Sequence, residues 1–118
     1  MAPLPLRLVR DRITRAELDL LAKAGFGDMV KAVVDVERRT MVVGGELHSD
    51  EESMLLDDGS RQGNLWGINL YPGEHGEEFI EFDSMINVRP AQENPSRSVL
   101  DTSTRTRIRA AVTYLIGE

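Results

Sequence analysis

The sequence predicts an α+β domain in which two hairpins form a four-stranded antiparallel sheet and about three helices pack on one face of it. Two pairs of segments in which apolar and polar residues alternate predict the strands. Apolar residues at helical spacing before, between and after these segments predict the helices. A chain of 118 residues with 41% hydrophobic content matches one domain. We expect a single domain over residues 1–118, with 1–14 as an extended lead-in.

The first helix is predicted over residues 15–24. Thr14 and Glu17 have the spacing of a capping box, in which each side chain bonds the backbone N–H of the other. Leu18, Leu21 and Ala22 follow with helical spacing. Gly25 is expected to end the helix in the left-handed conformation.

The first hairpin is predicted from residues 29–37 and a return strand over 40–48. Alternate positions of the first segment are apolar, which is typical of a half-buried strand: Val30, Ala32, Val34 and Val36. Gly44-Gly45 indicates a bulge, a bend packed under a helix, or the close approach of a ligand.

A second capping box, Ser49 to Glu52, predicts a short helix over 50–57. Strand three is predicted over 65–71 with Trp66, Ile68 and Leu70 facing the helices, and strand four runs from Phe79 through Ile86–Val88 to Arg89. Asp101 or Ser103 caps a last helix that ends at Gly117, and its apolar positions have helical spacing: Ile108, Ala111, Val112 and Leu115.

The opposite face of the sheet carries the candidate site. Neighbouring residues on a strand point to opposite faces, so burying Trp66 and its partners turns a polar set outward. We expect that set to bind a ligand, although a solvated sheet face is polar for ordinary reasons as well. Its members are Glu46, His48, Asn69, Tyr71, Glu81, Asn87 and Arg89.

A divalent cation is the one cofactor for which the sequence offers ligands. Glu46, His48 and Asp50 are the best metal set, and Asp57-Asp58-Gly59 resembles a fragment of a calcium loop. The alternating ligands and terminal glutamate of a complete loop are absent, and a capped, solvated helix accounts for the same residues.

Charge and composition restrict the function classes. The net charge of −6, with eleven acidic residues and one basic residue over 46–83, argues against a nucleic-acid partner. The absence of cysteine excludes thiolate catalysis and cysteine-ligated metals. Arg7 and Arg10 interrupt what would be a signal-peptide core, and no apolar run is long enough to span a membrane, so we expect a cytoplasmic protein.

Four segments resemble a family of small prokaryotic proteins catalogued as a domain of unknown function. They are GGELH (44–48), Leu55-Leu56 with Asp58-Gly59-Ser60, LWGINLYP (65–72) and INVRP (86–90). The resemblance extends over about residues 25–116, leaves the first fourteen residues outside, and implies no activity, ligand or catalytic residue.

Three function hypotheses follow. The first is a non-catalytic binding or regulatory module that contacts a protein or a small ligand through the polar sheet face. The second is a carboxylate- or metal-assisted hydrolase that uses His48, Glu46, Glu81 and Arg89. The third is nucleic-acid binding through the terminal arginines, which the net charge disfavours.

Overall fold

A five-stranded antiparallel sheet forms the centre of the fold. The computed structural model describes residues 6–117. The strands are β1 Arg7–Val9, β3 Val30–Asp35, β4 Thr40–Val43, β5 Leu65–Leu70 and β6 Ile80–Glu81, in the order β1-β4-β3-β5-β6. A separate parallel pair, β2 Ile13–Thr14 and β7 Ile116–Gly117, joins the two ends of the described chain.

The α+β class and both hairpins are confirmed, but the four-stranded detail is wrong. The fifth strand, β1, comes from the predicted lead-in and pairs with β4, so this part of the lead-in belongs to the sheet. Residues 1–5 of the lead-in lie outside the described residues. β4 ends at Val43 because Gly44 takes a positive φ of 92°. β6 is short because a 3₁₀ turn, Met85–Asn87, follows it.

Three helices accompany the sheet: α1 Arg15–Ala24, α2 His48–Asp57 and α3 Thr102–Leu115. The capping box of α1 is present with both of its hydrogen bonds, and Asp101 caps α3 by accepting from the backbone N–H of Thr104. Gly25 was expected to be left-handed, but the positive φ falls two residues later, at Gly27. Among the described residues, no helix is both long enough and apolar enough to cross a membrane.

The main core lies between one face of the sheet and helices α1 and α3. The predicted orientation of β3 and β5 is confirmed, because Trp66, Ile68 and Leu70 face this core. Side chains from α1, the sheet and α3 form one apolar cluster, which includes Leu18, Ala22, Val30, Ala32, Val34, Ile108, Ala111, Val112 and Leu115.

Helix α2 covers the opposite face, so the prediction of helices on one face only is wrong. Leu55 of α2 packs against Val33, Val42 and Leu65 in a second apolar cluster. The reason lies in the sequence of β3, which has valines at both odd-numbered and even-numbered positions. Its valine side chains therefore point to both faces of the sheet. A strand with apolar side chains on both sides has to be covered on both sides.

The start of α2 also differs from the prediction. The helix begins at His48, its N-cap is Leu47, and no side chain caps it, so the box predicted from Ser49 and Glu52 does not form. The bend at Gly44-Gly45 is explained by close packing. A Cβ on Gly45 would lie 3.1 Å from the Cγ of Glu51, a residue of the covering helix.

Candidate functional site

Three of the predicted site residues form one hydrogen-bonded group on β5 and β6. Asn69 lies opposite Glu81 in the sheet register, and its Nδ2 donates to the Glu81 Oε1 over 2.8 Å. The Tyr71 hydroxyl donates to the same oxygen over 3.0 Å. Partial burial, together with the neighbouring Glu81 carboxylate, raises the pKa of Tyr71. Glu81 therefore already accepts two hydrogen bonds within the fold.

Asn69 keeps an unused acceptor beneath this surface. The residue is only 6% exposed, and its Oδ1 is buried without a hydrogen-bond partner among the described residues. Its antiparallel neighbour on the other side is Lys31 of β3, whose side chain leaves the sheet on the same face.

His48 is the first residue of α2 and lies against the backbone of β5. Its Nε2 is 2.8 Å from the carbonyl oxygen of Ile68. Because a carbonyl oxygen only accepts, Nε2 carries the hydrogen. Burial of the ring lowers the pKa of His48, which favours the neutral form. In that form Nδ1 has a free lone pair, and no described residue hydrogen-bonds to it.

An opening of about 280 Å³ lies where α2 begins, and we call it the α2 cleft. Its polar lining consists of Lys31, His48, Ser49, Ser84 and Arg97, and its apolar lining consists of Leu47, Met85 and Ile86. None of these described lining residues is acidic, although the chain as a whole carries a net charge of −6. The charged side chains that line the cleft are therefore all basic, whereas acidic residues predominate in the chain as a whole.

The two cations of the α2 cleft differ in how the fold uses them. Arg97 is paired through Nε with the Asp83 carboxylate over 2.7 Å, and this contact raises the pKa of Arg97. Lys31 has no ion pair with any described residue, and its ammonium contacts only the ring of Phe26, 5.1 Å from the ring centre. The charge of Lys31 acts on the buried carboxyl of Glu51, but burial raises the pKa of Glu51 to about 9, so this carboxyl is protonated at neutral pH and does not neutralise Lys31.

The rim of the α2 cleft is apolar and open. Leu47 is 53% exposed and Met85 is 64% exposed, and they are the N-cap of α2 and the first residue of the 3₁₀ turn after β6. Ser84 lies between this rim and the sheet, and its side chain is held by the backbone N–H of Ile86 over 3.2 Å.

Two of the predicted site residues serve the fold instead. Asn87 is fully buried, accepts from the N–H of Gly67 and donates to the carbonyl oxygens of Gly67 and Arg97. Arg89 lies at the other end of β5, where it donates to the carbonyl oxygen of Leu65 and stacks 4.7 Å from the ring centre of Trp66. Neither residue lines the α2 cleft.

The predicted metal set does not come together. Glu46 and Asp50 are exposed, whereas His48 turns inward to Ile68. Across residues 6–117, no three His, Cys, Asp or Glu side chains are grouped closely enough to hold a metal ion. The residues named for the hydrolase hypothesis are likewise separated, because Arg89 lies at the far end of β5.

A larger opening of about 400 Å³ lies beside the start of α3, and the fold uses two of the three charged side chains in its lining, all but Glu93. Asp101 caps α3, and Arg107 is paired with Glu37 over 3.1 Å. Asn94 is also engaged, because its amide donates to three carbonyl oxygens and accepts from the N–H of Leu100. Size alone therefore does not identify the site, and we place it in the α2 cleft.

A family model for proteins of unknown function, DUF5674, matches residues 7–115. The chain belongs to the DUF5674 family. The match begins at the first residue of β1, so it includes residues that the sequence resemblance left outside. No curated protein and no solved structure matches this DUF5674 protein.

Of the residues that line the α2 cleft, the sequence predicted only His48. It missed four polar residues, Lys31, Ser49, Ser84 and Arg97, and three apolar ones, Leu47, Met85 and Ile86. Lys31 could have been found from the alternation of β3, which places it on the face opposite the main core. In the sheet register it lies beside Asn69. Ser84 and Arg97 meet through a backbone hydrogen bond of 3.0 Å between two loops. A contact of that kind leaves no periodic signal in a sequence.

Proposed function

We propose that this DUF5674 protein is a non-catalytic binding module whose ligand enters the α2 cleft. The observation that carries this proposal is a set of polar groups in the cleft that the fold does not use. The ammonium of Lys31 has no ion pair, and Nδ1 of His48 has no hydrogen-bond partner among the described residues. Polar groups that converge in an opening without partners are the usual feature of a ligand site.

The size of the cleft favours a small molecule over a protein segment. Pockets for small molecules begin at roughly 300 Å³, and the α2 cleft, at about 280 Å³, is close to that lower bound. The ligand is therefore expected to be small, with most of its surface in contact with the protein.

Binding is favoured over carboxylate-assisted catalysis because Glu51, Glu81 and Asp83 are engaged elsewhere. Glu81 accepts from Asn69 and Tyr71, and Asp83 is paired with Arg97. Glu51 of α2 is fully buried and accepts from the backbone N–H of Gly45. A general base has to reach the proton that it removes, and none of these carboxylates lines the cleft.

A fragment screen followed by NMR tests the proposal. We expect hits from a library of small polar compounds to shift backbone amide signals around Ser49, Ser84 and Met85. The variant Ser49→Trp places a large ring at the cleft and should abolish those shifts. Ser53→Trp is the matched control, because Ser53 is exposed on the same helix and does not line the cleft.

The proposal fails if no fragment shifts these signals. It also fails if the two tryptophan variants weaken binding equally, because the ligand would then not occupy the α2 cleft. Circular dichroism of both variants confirms that each has kept the fold, since both substitutions lie at exposed helix positions.

A further inference from the structure

We infer that the ligand of the α2 cleft is a small organic acid with one carboxylate and an apolar body. This inference rests on the proposed function and names the class of ligand. It depends on the charge of the lining, on the apolar rim and on the way the fold uses each of the two cations.

The charge of the cleft fits an anion. Both charged groups of its described lining, Lys31 and Arg97, are cations, in a protein with more acidic than basic residues. A negatively charged partner would pair with the ammonium of Lys31, which has no ion pair with a described residue. The exposed hydroxyl of Ser49 adds a hydrogen-bond donor for the oxygens of such a partner.

The balance of charge selects a monoanion. Asp83 neutralises Arg97 through the 2.7 Å ion pair, so one net positive charge, that of Lys31, remains for the ligand. A carboxylate carries one negative charge, whereas a phosphate monoester carries nearly two near neutral pH. The second charge of a phosphate would have no cation to match it, because Arg97 is already paired with Asp83.

The apolar rim accounts for the rest of the ligand. Leu47 and Met85 are among the most exposed large apolar side chains of the described residues, and both line the α2 cleft. An alkyl group placed between them would remove apolar surface from water on both sides, which favours binding. Methionine adapts its shape easily and suits such a contact.

Three probes with the same branched alkyl group test the inference by NMR titration: 4-methylpentanoate, 4-methylpentanamide and 3-methylbutyl phosphate. We expect the carboxylate to shift the amide signals of Ser49, Ser84 and Met85. The uncharged amide should bind at least tenfold more weakly, and the phosphate should bind no more tightly than the carboxylate. Raising the salt concentration should weaken binding of the carboxylate.

The variant Lys31→Met removes the charge and keeps most of the side chain. We expect it to weaken binding of 4-methylpentanoate at least tenfold and to leave the amide nearly unaffected. Lys23→Met is the matched control, because Lys23 is exposed, is paired with Asp19 and does not line the cleft. It should change the affinity for the carboxylate less than twofold.

Failure of this inference is distinguishable from failure of the proposed function. If the amide binds as tightly as the carboxylate, or the phosphate binds more tightly, the assignment to a monocarboxylic acid is overturned while a cleft ligand still stands. The same holds if library fragments shift the cleft signals and 4-methylpentanoate does not. If neither the probes nor the library shift them, both proposals fall.

Discussion

Replacing Glu51 by glutamine should stabilise the protein at neutral pH. Glu51 lies in the first turn of α2, is fully buried, and accepts a 3.0 Å hydrogen bond from the N–H of Gly45 through Oε2. Its Oε1 is buried without a partner among the described residues. Desolvation by burial is the main cause that raises the pKa of Glu51 to about 9. The folded protein therefore holds this carboxyl in its protonated form at neutral pH.

The size of the effect follows from the proton that folding has to take up. The pKa of Glu51 is 4.5 before folding and about 9 after it. Each unit between the lower value and the working pH costs about 1.4 kcal/mol, so the cost at neutral pH is about 3 kcal/mol. The contribution of Glu51 to stability is fully present below its unfolded pKa and is lost as the pH rises through its folded pKa.

Glutamine has the shape of the protonated acid but takes up no proton. The difference in the free energy of unfolding between Glu51→Gln and the wild type should be near zero in mild acid. It should grow to about 3 kcal/mol in favour of the variant at neutral pH. Other titrating groups, including His48, are present in both proteins, so their contributions cancel in this difference.

Urea denaturation at several pH values, from about pH 4 to about pH 8, measures that difference. Glu46→Gln is the control, because it makes the same chemical substitution at an exposed position. The reasoning would be refuted by a Glu51→Gln protein that is less stable than the wild type at neutral pH. A difference that does not vary with pH would refute it too, because Glu51 would then be ionised in the fold.

Three further predictions concern stability. Because burial lowers the pKa of His48, its contribution to stability should be lost as the pH falls below about 6.5. The stability of His48→Gln relative to the wild type should therefore rise over that range, and urea titrations of both proteins measure this difference. Asn87→Ala leaves the N–H and C=O of Gly67 unpaired in the interior and should cost about 3 kcal/mol in the same assay. Gly67→Ala places a Cβ 2.5 Å from that of Ser84 and should cost about 2 kcal/mol, whereas Gly63→Ala, with only Gln92 at 3.7 Å, should cost less than half as much.

The parts of the fold that the sequence predicts correctly depend on local signals. The capping box at Thr14 and Glu17 defines the start of α1, and Asp101 caps α3. The alternation around Trp66 orients β5, because a strand beside one large core has to place every second side chain in it. Such signals lie within a few residues of the feature that they predict.

The errors arise where a distant segment decides the structure. β1 forms because β4 offers an unpaired edge, and a three-residue strand carries too little alternation to show this in the sequence. At the start of α2, Ser49 and Glu52 match the capping pattern, but Leu47 becomes the N-cap and His48 turns toward Ile68. Packing of α2 on the sheet overrides the local preference.

The candidate site is predicted in part for the same reason. Sheet parity places Asn69, Tyr71 and Glu81 on one face, and the structure joins them by hydrogen bonds. The prediction that this face is open to water is wrong for Asn69 and for His48, which are 6% and 9% exposed. The valine at position 33 is the sequence signal for the covering helix, since it is apolar on the face assigned to water.

The cleft exists because α2 covers a face that is apolar at one end and polar at the other. Ten residues of helix span about 15 Å. The C-terminal half of α2 packs Leu55 against Val33 and Leu65 and leaves none of the three exposed. The N-terminal end of the helix lies beside Lys31, whose ammonium cannot pack as closely against it. The apolar contacts that hold α2 and the polar groups that line the cleft are thus at different ends of one helix. Substitutions at Lys31 should therefore change ligand binding without unfolding the helix that forms the cleft.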